Sequence, residues 1–339
     1  MHFSIVVLTY NRPRCLDRQL PRLVALQAAY EGVEIIVVDN ASTSYELQPY
    51  LASFPSVCFI RNPENIGAVG RSSGMAAAQG EVVITLDDDV FGIDVSDLEC
   101  LAKLFAQAPA LGAVCFKVLD EETAAVINWC HRHDKLRYQD QAFATYEISE
   151  GAVAFRRQAL QQVGFYPLDY FISHEGIDLA MRLLNAGYRI EYQPAIAVIH
   201  EHAIEGRPGW RRYYYDSRNL FWLAARYFDL GLIARRCLLQ LLALAIYALR
   251  DGHLRAYGRG VYDGIAGIRQ QCSQRQVATA ATKAYMREAD RHAPPLQRRS
   301  SPRLPDGFPP PPIGPVSAAC GRPPGGRRCR WNHRARRAR

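Results

Sequence analysis

The chain has 339 residues, 49% of them apolar and 22% charged, enough to bury a substantial core in one large domain or two smaller ones. Its formal charge of +8 resembles that of a nucleic-acid binder. The eleven arginines and single aspartate of residues 294–339, however, supply +10 and leave −2 for residues 1–293. A basic nucleic-acid-binding body is therefore excluded. The nine cysteines, odd in number and without a C-x-x-C pair, argue against a disulfide frame or zinc site and fit a reduced, cytoplasmic thiol inventory.

The N-terminus, Met1-His2-Phe3-Ser4-Ile5, runs straight into a strand pattern with no basic region ahead of an apolar one, so no secretion signal is expected. Four short apolar or β-branched runs follow: Phe3 to Thr9, Glu34 to Asp39, Val57 to Ile60 and Val82 to Leu86. Segments of helical composition, such as Cys15 to Ala29 and Arg71 to Gln79, separate them, and this alternation predicts a layered α/β fold with a mainly parallel sheet. Polar residues gather where each run ends: Thr9-Tyr10-Asn11, Asp39-Asn40, Asn62 with Asn65 and Gly67, then Asp87-Asp88-Asp89. In open α/β sheets that edge is where ligands bind, so the four clusters are expected to converge on one crevice.

The fourth run, VVITLDDDV at Val82 to Val90, ends in three consecutive carboxylates. Extended-strand alternation sends Asp87 and Asp89 to one side and Asp88 to the other. Two carboxylates on one side repel each other unless compensated, and a divalent cation seated on a diphosphate supplies the compensation. A solvated acidic turn is the alternative.

In the middle of the chain, Asp178 to Ala186 has helical character, with Leu179, Leu183 and Leu184 on one side and Gly187 placed as its cap. Arg189 to Tyr192 and Ile196 to His200 read as two further strands around Pro194. Beyond Trp210 the pattern is helical. Its longest apolar run, Leu238 to Leu249, is too short to span a bilayer, for which about 20 residues are needed. Flanked by Arg235, Arg236 and Arg250, it reads either as an ordinary buried helix or as one lying in a membrane interface, which leaves room for peripheral membrane contact. Residues 294–339 hold eleven of the 20 prolines, including Pro309 to Pro312, and are expected to be a disordered tail.

Taken together, SIVVLTYNRP (Ser4 to Pro13), EIIVVDNAST (Glu34 to Thr43), NIGAVGRSSGMAAAQGE (Asn65 to Glu81), LDDD, GAVAFRRQALQQVGFY, HEGIDLAMRLLNAGY and PAIAVIH, ending at His200, resemble the family 2 glycosyltransferases. The rhamnosyltransferase-like branch is the nearest in pattern. The resemblance covers roughly residues 3 to 225 and implies a GT-A (nucleotide-diphospho-sugar transferase) fold over 1–225, with a helical extension over 226–293 and the tail beyond.

The resemblance also implies roles. Thr9, Tyr10 and Asn11 would cradle the nucleoside, and Asp39 would accept hydrogen bonds from base or ribose, unless it is simply a helix N-cap. Asn65 and Gly67 belong to the donor loop, where Gly67 and Gly70 permit close backbone approach, and Arg71 would offer charge-assisted hydrogen bonds to a base carbonyl or phosphate. Asp87 would face the ribose or a metal-bound water. Asp89, with His200 as a further ligand, would hold Mn²⁺ or Mg²⁺ at the diphosphate. A His alone at a strand end is as readily structural. The family's acidic pair before a helix, E-D-x-D-L, stands here as Glu175-Gly176-Ile177-Asp178-Leu179. Its usual base position is thus empty, Glu175 becomes the candidate base, and Asp178 is the fallback or a helix-dipole stabiliser. The aromatic and arginine-rich run Trp210 to Asn219 reads as an acceptor or diphosphate lid, or as a buried amphipathic helix.

The expected activity is that of an inverting, metal-dependent glycosyltransferase. It would move a sugar from a UDP- or dTDP-sugar to a carbohydrate or lipid-linked acceptor in cell-surface polysaccharide or glycolipid synthesis. Two rivals stand. A sugar-phosphate nucleotidyltransferase would resemble G-x-G-x-R-L after its first strand, which is missing here. A non-catalytic nucleotide-sugar-binding protein would explain Gly176 as lost chemistry.

Overall fold

Residues 1–201, 209–229, 231 and 237–292 are described by the computed structural model. Strand β1 (Phe3–Thr9) runs parallel to β2 (Val33–Asp39) on one side and to β4 (Val82–Asp87) on the other, and β3 (Val57–Arg61) extends this block parallel to β2. The register pairs Thr9 with Asp39, Asp39 with Arg61 and Leu8 with Asp87, so the polar ends line up along one edge.

Past β4 the sheet becomes mixed. β8 (Ala152–Arg156) is antiparallel to both β4 and β6 (Leu111–Asp120), and β6 lies parallel to β9 (Arg189–His200). The two-residue strands β5 (Val90–Phe91) and β7 (Phe143–Ala144) pair antiparallel with β9. The order is β3-β2-β1-β4-β8-β6-β9-β5, with β7 attached to β9. The two strands expected around Pro194 are one. Between Gln193 and Ala197 the register slips, and Pro194, having no N–H for the ladder, sits in that irregularity.

Alternation along the strands gives the sheet two apolar faces. Phe3, Ile5 and Val7 pack with α1 (Pro13–Ala29) and α4 (Val95–Gln107) through Leu16, Leu20, Leu98, Leu101 and Phe105. Val6, Ile36 and Val38 face the opposite layer, which includes α3 (Ser72–Ala77), α6 (Arg157–Val163), α7 (Glu175–Asn185) and α8 (Trp210–Tyr227). Short helices α2 (Gln48–Ser53) and α5 (Lys135–Tyr138) fill connections. Helix α7 starts three residues before the stretch read from the sequence. It ends as expected, with Gly187 at φ +89° and its N–H bonded to Leu184 O.

Helices α9 (Leu238–Arg250), α10 (Leu254–Cys272) and α11 (Ala280–Asp290) follow. The boundary expected at 225 falls inside α8, which packs along α10. Of α9 only Leu244 and Ala248 are buried, while Leu238, Leu239, Leu242, Ile246 and Leu249 form an exposed apolar stripe. The tail 294–339 and the flanking Arg235 and Arg236 lie outside the described residues. No described helix is long and apolar enough to cross a membrane.

Candidate active site

The polar residues that end the parallel strands line up along the sheet's carboxyl edge. Thr9, at the end of β1, is 1% exposed and donates through Oγ1 to Asp88 Oδ2 at 2.7 Å. Exposed Tyr10 follows, then Asn11 at φ +55°, whose Oδ1 accepts from Thr43 and Ser44 N–H while its own N–H donates to Ser42 Oγ. Asn11 thus pins the loop after β2. Asp39 is fully buried. Its Oδ1 accepts from Ser42 N–H at 3.0 Å and its Oδ2 lies 3.2 Å from Arg61, so it closes a turn and pairs with a cation rather than capping a helix.

An amide network that the sequence alone did not reveal supports the loop from Asn65 to Arg71. Buried Asn40 donates to Asn65 Oδ1 and Gly67 O and accepts from Asn62. Asn65 Oδ1 also accepts from Gly67 N–H. Gly67 stands at φ +76°, and a Cβ there would strike Phe171 O, so glycine is demanded twice over. The loop closes in a 3₁₀ turn, Gly67–Arg71. Arg71 is not a surface residue. It is 3% exposed, donates to Asp87 Oδ1 at 2.6 Å, and two of its guanidinium nitrogens, Nε and Nη1, have no hydrogen-bond partner among the described residues.

The three aspartates do not alternate as an extended strand would have them. β4 ends at Asp87 and the chain turns, so Asp88 and Asp89 converge on one guanidinium: Arg12 Nη1 lies 3.0 Å from Asp88 Oδ1 and 2.7 Å from Asp89 Oδ2. Asp87, paired with Arg71, is the one that lines a cavity. Burial pushes the Asp88 carboxyl up to about 6, with Arg12 opposing. Arg12 belongs to the YNRP segment after β1, which was the available signal for it.

On the side away from Arg12, Asp89 Oδ1 faces His200 Nε2 at 3.2 Å, both residues buried, where β5 and β9 pair Val90 with His200. The second imidazole nitrogen lies 3.3 Å from Asn128 Nδ2. A carboxylate oxygen and an imidazole nitrogen so placed suit Mn²⁺ or Mg²⁺. Among the described residues no third His, Cys, Asp or Glu joins them, and such ions commonly take their remaining ligands from water and substrate phosphate.

The cavity beside this turn, about 240 Å³, is lined by Asp87, Asn128, Cys130, Ser149, Glu150 and Gly151 among others. Helix α7 begins next to it. Its N-cap, His174, is left-handed at φ +64°, and Phe171 and Ser173 just before it are left-handed too, a run of strained residues of the kind found at functional sites. Helix α8 holds that run in place. Asn219 Nδ2 donates to the carbonyls of Tyr170, Ile172 and Ser173, Arg218 donates to Asp169 and Tyr170 O, and Tyr215 stacks on Phe171 at 5.0 Å. The run from Trp210 is therefore a packed brace rather than a lid.

Glu175 is 2% exposed and does not line the cavity. Its Oε2 has no partner among the described residues, and burial, then the nearby Glu150, hold its carboxyl well above the ordinary range. Asp178 is fully buried. Arg182 binds its Oδ1 at 2.9 Å, and Arg226 at 2.9 Å and Tyr227 at 3.0 Å bind Oδ2, so it ties α7 to α8 and is not presented to the crevice.

Residues 4–164 match the sequence model of Glycosyl transferase family 2. That segment, just under half of the chain, is similar to the family 2 glycosyltransferase domain. Over 214 residues the chain is 26% identical to the pre-mycofactocin glycosyltransferase of Mycobacterium tuberculosis, covering 60% of this chain but only 45% of that protein. The N-acetylglucosaminyl-diphospho-decaprenol L-rhamnosyltransferase of the same organism is 25% identical over 236 residues, covering 59% of this chain and 76% of that protein. Among solved structures, GalNAc-T7 with UDP, GalNAc and Mn²⁺ superposes with a TM-score of 0.54 at 17% identity, covering 85% of this chain and 56% of the other. That likeness establishes the GT-A-like fold.

Proposed function

We propose that the chain is an inverting, metal-assisted glycosyltransferase that uses a UDP- or dTDP-sugar and a carbohydrate or lipid-linked acceptor in cell-surface polysaccharide or glycolipid synthesis. One observation carries this reading: within the family-matched segment Asp87 lines a cavity beside the Asp88–Asp89 turn, and Asp89 faces His200, from beyond that segment, at 3.2 Å. Thr9, Tyr10, Asn11 and Asp39 would receive the nucleoside, with Asn65 and Gly67 shaping the loop over it. Arg71 fixes the direction of Asp87.

Asp89 and His200 would hold the divalent ion, which when bound supplies charge neutralisation at the departing diphosphate. Arg12 keeps the other oxygen of Asp89 engaged and so aims Oδ1 toward the ion's position. The acceptor preference follows from the rhamnosyltransferase relative, whose name specifies a decaprenol-linked sugar. The exposed leucine stripe of α9 suits peripheral contact with a membrane carrying such an acceptor. The odd cysteine count without a C-x-x-C pair fits a cytoplasmic location.

The test is a panel of UDP- and dTDP-sugars assayed for release of the nucleoside diphosphate with and without Mn²⁺. Metal-stimulated release from at least one donor is expected. Binding of UDP or dTDP with no release from any donor favours a non-catalytic binder.

A further inference from the structure

The emptiness of position 176 has a counterpart in space. A Cβ built on Gly176 would strike Glu150 Oε1 and stand 2.8 Å from Ile148 O, so no side chain fits there while Glu150 keeps its place. Glu150 comes from the connection between β7 and β8, and its Oε1 accepts a hydrogen bond from Gly176 N–H at 2.9 Å. The carboxyl group missing from the first turn of α7 is thus replaced by one delivered from another part of the chain. Unlike Glu175, Glu150 lines the cavity that Asp87 also lines.

Resting on the transferase reading above, we propose that Glu150 is the catalytic base of this enzyme, occupying the space that Gly176 vacates. The acceptor hydroxyl gives its proton to a Glu150 oxygen as the hydroxyl oxygen's electron pair forms the bond to the anomeric carbon. The anomeric C–O bond to the diphosphate breaks, and its electron pair leaves on the nucleoside diphosphate. The proton then passes from Glu150 to water in the cavity.

Charge distribution supports Glu150 over its neighbour. Burial raises both carboxyls, but Arg71 and the Gly176 N–H favour the charged form of Glu150. Glu175 is enclosed beside that charge with one oxygen lacking a hydrogen-bond donor. Of the pair, Glu175 is raised the further, and the hydrogen bond from Gly176 N–H makes Glu150 the readier to carry the charge.

The full-length chain and its Glu150→Gln, Glu175→Gln, Glu150→Ala and Glu150→Ala/Gly176→Asp variants are compared for Mn²⁺-dependent release of UDP or dTDP from the same donor panel, and for UDP and dTDP affinity. Gln keeps an oxygen for the Gly176 N–H, so Glu150→Gln should fold and bind normally while release falls roughly 10²- to 10⁴-fold. Glu175→Gln should lose far less. Glu150→Ala, which also loses the acceptor of the Gly176 N–H, should lose at least as much as Glu150→Gln, and the double variant reports whether the 176 backbone can shift from Ile148 O to admit an acid on α7. Undiminished release by Glu150→Gln, equal loss of release and affinity, or a larger effect at Glu175 each overturns the assignment. If the wild-type chain itself releases nothing, the transferase reading falls and the base falls with it. If the wild type releases normally and Glu150→Gln matches it, only the base falls.

Discussion

The two sides of the crevice solve opposite electrostatic problems. At the ends of β2 and β4, the proposed donor side, every acid has a cation beside it: Asp39 has Arg61, Asp87 has Arg71, and Asp88 and Asp89 share Arg12. At the start of α7, the proposed acceptor side, Glu150 and Glu175 lie together, both carboxyls raised by burial. A site that must receive a diphosphate cannot afford a surplus of bare carboxylates, whereas one that must take up a proton needs a carboxyl group with raised basicity.

The largest effect expected from breaking this contrast is on the donor side. Asp89→Asn removes one of the two groups facing the metal position, and Mn²⁺-stimulated release should fall at least roughly 10²-fold, as read by steady-state kinetics across a metal titration. Unchanged metal stimulation would refute that role. Next is the brace behind the acceptor side. Arg226 binds Asp178 and Asp169, so Arg226→Met leaves the fully buried Asp178 carboxylate to Arg182 and Tyr227 and should cost about 1.5–3 kcal/mol in urea unfolding. A loss within the surface range would show Asp178 to be better solvated than its burial indicates.

Gly67→Ala places a Cβ against Phe171 O at a left-handed position, and should cost about 1–3 kcal/mol while weakening UDP or dTDP binding. Equal stability would mean that the 67 and 171 loops separate freely. The smallest effect is the pH slope owed to Glu175. Its folded carboxyl titrates above the ordinary 4.5, so the folded state holds the proton more tightly than the unfolded chain does. That stabilisation is complete below about pH 4.5 and is lost as pH rises through the raised folded value. Melting temperature should therefore fall with pH more steeply in the wild type than in Glu175→Gln, and parallel curves would contradict this.

How far the sequence alone carried the account divides along the same line. The donor side was legible because β1 to β4 are local β-branched runs whose polar ends mark their own carboxyl edge, and parallel pairing in register brings those ends together without further information. The one local error, alternation of Asp87 to Asp89, arose because the chain turns at Asp88, where Arg12 draws two carboxylates to one point. The proposed acceptor side depends on pairs far apart in the chain: Glu150 with Gly176, Asp178 with Arg226. No periodicity or spacing announces such contacts. Gly176 was visible as a departure, but the residue filling its space was not. Likewise, α9 was visible as an apolar run, but only packing shows which of its faces stays exposed.

The most direct test of the contrast is to measure, for Asp89→Asn and Glu150→Gln side by side, the dissociation constant for UDP or dTDP with Mn²⁺ and the turnover of the sugar donor. The account predicts that Asp89→Asn loses metal-dependent affinity, whereas Glu150→Gln keeps affinity and loses turnover. Matching losses in both quantities for both variants would contradict it.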